Sequence, residues 1–243
     1  MTGGGSGIGA SIATMLARGG AQVTIAGRGK EALEQTAARA AAIHAIVADV
    51  TDKASIAKLY KQAETARGPF DIVVANAGSV ESAPAEKITP ALWNKTFDVN
   101  LTGAFFSVQP ALAGMRARGR GRIIFIASTA GLKGYAYVAA YVSAKHGVVG
   151  LARALAVETA KDGITVNAVC PGYTETPLLE RAIHRIAGKT GRSEAEARDA
   201  LAASNPQHRI ITAQEIADVV VWLCGANSAA ITGQAISVSG GET

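Results

Sequence analysis

A serine, a tyrosine and a lysine near the middle of the chain have the types and the spacing to move a proton. Tyr141 and Lys145 stand in the sequence Tyr-Val-Ser-Ala-Lys, so on a helix they lie on one face, one turn apart. The apolar run 121–128 predicts a buried strand that ends at Ser128. A positive charge beside a phenol favours the phenolate, so we expect the pKa of Tyr141 to lie below the ordinary value of about 10. Such a tyrosine could give a proton to an oxygen atom, or take one from it, near neutral pH.

The Tyr-x-x-x-Lys pair is a weak signal by itself, because this spacing also occurs by chance on half-exposed helices. The preceding strand strengthens it, since a strand end, a short loop and a helix can bring three side chains around one point. Ser128, Tyr141 and Lys145 match a Ser…Tyr-x-x-x-Lys signature, and here the sequence resembles the short-chain dehydrogenase/reductase family. The resemblance implies that these three residues are catalytic, that Ser128 holds the reacting oxygen, and that Lys145 also binds the nicotinamide ribose.

A glycine-rich loop at the start of the chain, Met-Thr-Gly-Gly-Gly-Ser-Gly-Ile-Gly, has the composition of a phosphate site. Glycines let a pyrophosphate approach the backbone, and the helix predicted from Gly7 offers free N–H groups and the positive end of its dipole. Alone, such a loop could equally be a mobile terminus, but an amphipathic helix and a strand follow it. The loop is similar to the family's Thr-Gly-x-x-x-Gly-x-Gly element. The resemblance implies that the cofactor contacts Gly3, Gly5, Ser6, Gly7, Ile8 and Gly9.

The fold implied by the resemblance is α/β, a doubly wound, Rossmann-type parallel sheet of strand order 3-2-1-4-5-6-7 with helices on both faces. In that fold a central first strand precedes the glycine loop, whereas only Met1 and Thr2 precede it here. We therefore expect the first strand to be largely absent from this chain and the natural protein to begin upstream. The alternative is a tolerated truncation, although an empty central position would leave backbone groups unpaired.

Arg28 follows the strand predicted over 21–28 and bears on the choice of cofactor. A carboxylate at such a strand end bonds the ribose hydroxyls of adenosine and disfavours a 2′-phosphate, whereas an arginine does the opposite. Neither Ala26 nor Gly27 is acidic, and the pattern resembles the NADP-preferring members of the family. We expect NADP, with NAD as the alternative if Arg28 is only a surface residue at a helix start.

Two further strand ends resemble cofactor-contacting elements of the family. Asp49 and Val50 end the third predicted strand, and the resemblance implies that Asp49 bonds the adenine. Its alternative role is that of an acid at a helix start, for which Thr51 or Asp52 is the better cap. The strand predicted over 70–75 is followed by the family's Asn-Ala-Gly element, which implies further contacts with the cofactor from Asn76, Ala77 and Gly78.

Asn100 lies inside a long helix that we predict to start after Thr89 as cap and Pro90 as first helical residue. Asparagine has a low helix propensity, so a kink or a functional role would explain it. The resemblance implies that Asn100 is catalytic and holds a water beside Lys145. The alternative is that Asn100 has no catalytic role and is a polar residue between helices whose hydrogen bonds are all satisfied.

The segment after the sixth predicted strand resembles the family's Pro-Gly turn, which lies over the nicotinamide. The resemblance implies cofactor contacts from Pro171, Gly172, Thr174 and Thr176. Residues 178–210 read as helical with a Gly-Lys-Thr-Gly break, and we interpret them as a lid over the substrate. A basic face on this lid could meet the phosphates of a coenzyme A or acyl-carrier-protein arm, although a solvated face is the alternative; its residues are Arg181, Arg185 and Lys189.

Composition excludes several classes of protein. A chain of 243 residues with 49% apolar residues can form one dinucleotide-binding and catalytic domain over 1–243. No apolar run approaches a membrane span and no charged-then-apolar leader is present. Cys170 and Cys224 fit no metal spacing and read as buried free thiols, which suits the cytoplasm. The net charge of +5 is modest and spread out, so we expect no nucleic-acid partner.

These patterns predict an oxidoreductase that moves hydride between NADP(H) and a carbonyl or secondary alcohol. Within the family, the sequence most resembles the 3-oxoacyl-thioester reductases of fatty acid metabolism and the 3-hydroxyacyl-CoA dehydrogenases. An NAD-dependent 3-hydroxyacyl-CoA dehydrogenase, or another alcohol dehydrogenase, is therefore the alternative. A cofactor-binding protein without turnover is the alternative from another class. The small residues Ser143, Gly147, Gly150 and Ala154 share one helix face; in the family this helix pairs across subunits, which implies a homotetramer or homodimer.

Overall fold

The computed structural model describes residues 1–243 and contains six strands and nine α-helices. The strands are β1 (Val23–Gly27), β2 (Ile43–Val47), β3 (Ile72–Ala75), β4 (Gly121–Ile126), β5 (Ile164–Pro171) and β6 (Ala235–Val238). The helices are α1 (Gly7–Arg18), α2 (Lys30–Ala37), α3 (Lys53–Arg67), α4 (Pro90–Phe97), α5 (Gly103–Arg118), α6 (Ala139–Thr159), α7 (Pro177–Thr190), α8 (Glu194–Ala202) and α9 (Ala213–Cys224). None of these helices is both long enough and apolar enough to cross a membrane.

The strands form a parallel sheet in the order β2-β1, then β3-β4-β5-β6, with Thr2 between the two groups. Thr2 bridges Ala26 on one side and Ala75 on the other, so it occupies the central position of the predicted strand order, which is confirmed. The Thr2 N–H donates to the carbonyl of Val74 at 3.1 Å, and the Ala26 N–H donates to that of Met1 at 2.8 Å.

Helices cover both faces of the sheet, as the crossovers of a parallel sheet require. The larger apolar core lies on one face, where α3, α5 and α6 pack on the strands through residues such as Ile56, Val108 and Val148. The second core lies on the other face, beneath α1 and α9, and includes Ile12 and Ile216. Every residue of β5 is buried, including the polar Thr165 and Asn167, as expected of a strand that helices cover on both faces.

Local sequence signals fix most helix starts. The Thr89 side chain accepts from the Leu92 N–H, and Pro90 is the first residue of α4, both as predicted. Thr212 caps α9 in a reciprocal capping box with Glu215. The Asp52 side chain caps α3 by accepting from the Ala54 N–H, which leaves Asp49 outside the cap.

Two predicted helices have different bounds in the structure. The alanine-rich amphipathic sequence over 30–42 predicts one helix, but α2 ends at Ala37, because the chain turns before it enters β2. The long helix predicted after Thr89 is interrupted by a π-helical segment, Asp98–Thr102. The predicted lid consists of α7 and α8, which pack together around a small apolar cluster. Gly191, the residue after α7, adopts the left-handed conformation that commonly ends a helix.

Candidate functional site

The carboxyl end of β4 brings Ser128 beside the first turn of α6. Ser128 follows the last residues of the strand and caps a short 3₁₀ turn, Thr129–Gly131, by accepting from the Ala130 N–H at 3.1 Å. This turn lies so close to α6 that a Cβ on Gly131 would be 2.7 Å from the carbonyl oxygen of Lys145. The close approach places Ser128 near Tyr141, as the sequence predicted.

Lys145 lies beneath Tyr141, one turn further along α6. Its side chain is 4% exposed, and its Nζ donates to the carbonyl oxygen of Ile126 at 2.8 Å. The Nζ lies 5.6 Å from the centre of the Tyr141 ring. An ammonium group carries three donors, and the protein takes up one of them. The remaining donors fit the ribose hydroxyls of a nicotinamide cofactor.

The pKa values of this pair differ from the sequence prediction. Burial raises the pKa of Tyr141 to about 12, although the nearby Ser128 hydroxyl acts in the opposite direction. Burial lowers the pKa of Lys145 to about 8, because a charged ammonium loses its hydration. The expected lowering of the Tyr141 pKa by Lys145 is therefore wrong, because the loss of solvent around the phenol is the largest effect on its pKa.

Asn100 lies in the π-helical segment and is 1% exposed. Its Nδ2 donates to the carbonyls of Ser79 and Thr96, both at 2.9 Å, and its Oδ1 accepts from the Ser79 N–H at 3.2 Å. A Cβ on Gly78 would lie 3.0 Å from Asn100 Oδ1 and 3.7 Å from Lys145 Nζ. Asn100 therefore borders the Lys145 site. Asparagine has a low α-helix propensity, and here it lies where the α-helix is interrupted by the π-helical segment.

The glycine loop is held by the side chain of Asn76. Its Nδ2 donates to the carbonyls of Thr2 and Gly3, at 3.1 and 2.9 Å. No side chain caps α1, and its first turn contains no acidic residue. The N–H groups at the start of this helix, at Gly7, Ile8 and Gly9, therefore remain free of a side-chain acceptor. Together with the exposed Ser6, the glycines at 3, 5 and 7 form a surface that fits a pyrophosphate, whereas Gly9 is buried against Gly3 and Asn76.

The adenosine end of the predicted cofactor site contains one free cation. Arg28 is exposed at the end of β1 and makes no ion pair or hydrogen bond. Its charge helps to lower the pKa of Asp49, after the larger effect of the hydrogen bond that Asp49 accepts from the Thr51 N–H at 2.9 Å. The two residues are therefore neighbours, at the same edge of the sheet as the glycine loop. Val50 is buried against Gly103, so its side chain supports the edge from below.

The turn after β5 reaches the glycine loop from the other side. Thr176 caps α7, and a Cβ on Gly7 would lie 2.8 Å from the Thr176 methyl carbon. Thr174 is buried, and its hydroxyl donates to the carbonyl of Gly172 at 2.9 Å. Of the two threonines, Thr176 is thus the one that borders the expected cofactor site, while Thr174 holds the Pro171–Gly172 turn in shape.

Two groups at the site were missed by the sequence analysis. The thiol of Cys170 lies next to Ser128 and Lys145: burial raises its pKa to about 11, while the Ser128 N–H and the Lys145 charge both act to lower it. Its position could have been read from the sheet order, since β4 and β5 are neighbours and Ile126 pairs with Val169. A buried carboxylate, Glu242, contacts the loop between Ser128 and Tyr141, and no local sequence signal indicated it. No cluster of three or more His, Cys, Asp or Glu residues is arranged to hold a metal ion.

The chain is similar in sequence and in fold to known proteins. The family model described as short chain dehydrogenase matches residues 1–186. One relative is a protein of Streptomyces violaceoruber that is named as ketoacyl reductase 1 of the granaticin polyketide synthase. It is 40% identical to this chain, and the aligned region covers 99% of this chain and 91% of the relative. The D-beta-hydroxybutyrate dehydrogenase of Rhizobium meliloti is 35% identical over 100% of this chain and 97% of its own. The crystal structure of a variant of actinorhodin polyketide ketoreductase with NADPH matches with a TM-score of 0.95, at 38% identity, over 99% of this chain and 95% of that one.

Gly9→Ala should disrupt the phosphate loop, although alanine is the better helix former by about 1 kcal/mol. A Cβ on Gly9 would lie 2.1 Å from the carbonyl oxygen of Gly3 and 2.6 Å from Asn76 Nδ2, so the loop must move away from the Asn76 amide. We expect the affinity for NADPH, measured by fluorescence titration, to fall by at least about tenfold.

Gly188→Ala is the matched control, because Gly188 lies in α7 and a Cβ at this position would meet no atom within 4 Å. It should leave NADPH affinity unchanged and not lower the midpoint of thermal unfolding. Wild-type affinity in Gly9→Ala would show that the Gly3–Asn76 contact does not shape the cofactor site.

Proposed function

The chain belongs to the short chain dehydrogenase family of NAD(P)-dependent oxidoreductases, and from this premise we propose that it is an NADPH-dependent ketoreductase acting on 3-oxoacyl thioesters. The observation that carries the proposal is the convergence of Ser128, Tyr141 and Lys145 at the carboxyl end of β4. This group lies on the same edge of the sheet as the glycine loop, where a parallel α/β sheet binds its ligands.

Each residue of the group has a role in the proposed reduction. A bound reduced nicotinamide supplies the hydride to the carbonyl carbon. Tyr141 donates a proton to the carbonyl oxygen, and the Ser128 hydroxyl donates a hydrogen bond that orients the same oxygen. Lys145 directs its free donors to the nicotinamide ribose and, while charged, stabilises the phenolate that Tyr141 leaves behind. Asn100 supports a water relay beside Lys145, with the remaining acceptor capacity of its Oδ1.

The raised pKa of Tyr141 keeps the phenol in the form that reduction of a carbonyl requires. With a pKa of about 12 the phenol is protonated at neutral pH, which is the form that an acid catalyst needs. Oxidation of an alcohol would require the phenolate as the base.

The proposed preference for NADPH rests on Arg28. It is exposed, unpaired and next to Asp49, so a 2′-phosphate at this edge would meet a guanidinium group. The structural neighbour with NADPH supports the same choice, because it covers 99% of this chain. NAD remains the alternative cofactor.

The proposed substrate class follows from the relatives and from the lid. A relative named as a ketoacyl reductase acts on a ketone beside an acyl group, and the lid presents Arg181, Arg185 and Lys189, which are exposed and form no ion pairs. This basic face suits the phosphates of a coenzyme A or acyl-carrier-protein arm, as found in fatty acid metabolism. We place the enzyme in the cytoplasm as a homotetramer or homodimer, with its two cysteines free.

A second candidate is an NAD-dependent dehydrogenase of 3-hydroxyacyl compounds, favoured by the similarity to a D-beta-hydroxybutyrate dehydrogenase. An assay of ketones and alcohols with both cofactors in both oxidation states separates the two candidates. The proposal predicts the highest kcat/KM for a 3-oxoacyl thioester with NADPH. Preferred oxidation of a 3-hydroxy acid with NAD would establish the second candidate, and no turnover would leave a cofactor-binding protein.

Tyr141→Phe should lower kcat by about 10²–10⁴-fold, because it removes the proton that the carbonyl oxygen receives. The affinity for NADPH should stay close to that of the wild type, since most cofactor contacts are elsewhere. Tyr137→Phe is the control, because Tyr137 is 66% exposed and its hydroxyl has no partner. If Tyr141→Phe retains near-full activity, the proposed acid is wrong.

Arg28→Asp should change the choice of cofactor. Charge-assisted contacts with a phosphate contribute about 1.5–3 kcal/mol, so the ratio of kcat/KM for NADPH to that for NADH should fall at least about tenfold. Lys161→Asp makes the same change of charge at the opposite edge of the sheet, just before β5, and should leave the ratio unchanged. A wild type that already prefers NADH would remove Arg28 from the account.

The reaction should slow as pH rises through about 8. Burial gives Lys145 a pKa of about 8, so its ammonium is charged below this pH and becomes neutral above it. The charged form binds the ribose and stabilises the Tyr141 phenolate, so kcat/KM for NADPH, which reports the free enzyme, should be flat below about pH 8 and fall above it. A profile that stays flat to about pH 10, with the protein still folded, would contradict this role.

A further inference from the structure

A buried carboxylate outside the proposed catalytic group holds the loop that connects Ser128 with Tyr141. The Glu242 side chain is 2% exposed, and its Oε1 lies 3.1 Å from Lys133 Nζ and 2.6 Å from the Tyr135 hydroxyl. The Lys133 ammonium also donates to the backbone carbonyl of Glu242 at 3.3 Å. We call Thr129, Lys133, Tyr135 and Glu242 the Glu242 cluster.

The hydrogen bonds of the cluster lead from Glu242 to the residue after Ser128. The Tyr135 oxygen lies 2.6 Å from Glu242 Oε1 and 2.7 Å from Thr129 Oγ1, but the phenol has only one proton. A carboxylate can only accept, so Tyr135 donates to Glu242 and accepts from the Thr129 hydroxyl. Thr129 begins the turn that Ser128 caps, so the position of the Ser128 hydroxyl depends on this chain of bonds.

The segment around Glu242 also contacts the other two walls of the site. A Cβ on Gly172 would lie 3.2 Å from Glu242 Oε2, so the carboxylate faces the turn after β5. Gly240 and Gly241 have φ values of 66° and 96°, and they turn the chain across the end of the lid. A Cβ on Gly240 would overlap the buried Asn205 side chain, and one on Gly241 would lie 3.5 Å from Pro206.

We propose that Glu242 is a positioning residue for the reductase, because it fixes the Ser128 loop against the turn after β5 and the end of the lid. A buried carboxylate is tolerated only while it is paired, so the loop cannot move away from Glu242 without leaving an unpaired charge buried. Glu242 thereby maintains the distance between the Ser128 and Tyr141 hydroxyls that both must bond to one substrate oxygen. This role rests on the proposed ketoreductase function.

Three variants test the role. Glu242→Ala removes the acceptor of Tyr135 and the partner of Lys133, and should lower kcat at least about tenfold, while the dissociation constant for NADPH stays within about twofold. Lys133→Met leaves the carboxylate buried and unpaired, and should lower kcat as well. Lys133→Met combined with Glu242→Gln removes both charges but keeps an acceptor for Tyr135, so it should restore part of the kcat lost in Lys133→Met. Glu86→Ala, at an exposed glutamate without a partner, is the control.

Hydrogen–deuterium exchange of peptides that cover 129–138 and 171–176 provides a second readout that does not need turnover. Faster exchange in Glu242→Ala, together with the loss of kcat at unchanged NADPH affinity, is the expected result. Unchanged exchange and a kcat within about twofold of wild type would overturn the role of Glu242 and leave the proposed function standing. A wild type without turnover on any ketone, but with faster exchange in the variant, would overturn the proposed function and leave the anchoring of the loop by Glu242 standing.

Discussion

The burial of the Lys145 ammonium is the constraint on which the site depends. A cation that is 4% exposed needs an acceptor inside the protein, and the carbonyl oxygen of Ile126 at 2.8 Å is that acceptor. Because this carbonyl ends β4, the bond fixes α6 to the carboxyl edge of the sheet and leaves room between them only for the turn that Ser128 caps. Tyr141, one turn before Lys145, is carried to the same edge, where the glycine loop also ends.

Burial determines the protonation states as well as the positions. The same loss of solvent that lowers the pKa of Lys145 to about 8 raises that of Tyr141 to about 12. At neutral pH the site therefore contains a charged lysine and a neutral tyrosine. This is the combination that a proton donor to a ketone needs, because the phenol holds its proton until the substrate oxygen becomes negative and the ammonium then stabilises the phenolate.

The parts of the site that sequence could predict are those set by local spacing. The helical period places Tyr141 and Lys145 on one face of α6, and the cap residues Thr89 and Thr212 mark helix starts. The direction of the Tyr141 pKa could not be predicted, because it depends on how deeply distant elements bury the phenol. The hydrogen bond from the Thr174 hydroxyl to the Gly172 carbonyl could not be predicted either, because it depends on the exact course of the turn. The hydrogen bond between Tyr135 and Glu242 joins residues 107 positions apart, so no local sequence pattern indicates it.

The measurement that tests the account most directly is the fate of the hydride. NADPH deuterated at C4 of the nicotinamide, on one face at a time, is incubated with the protein and a 3-oxoacyl thioester, and the product is analysed by mass spectrometry and NMR. The account predicts that deuterium from one face of the nicotinamide alone enters the carbinol carbon, because a cofactor held in one orientation presents one face to the substrate. It also predicts a single configuration at that carbon, because the fixed Ser128 and Tyr141 hydroxyls hold the carbonyl in one orientation. Absence of deuterium from the product, or equal transfer from both faces, would contradict it.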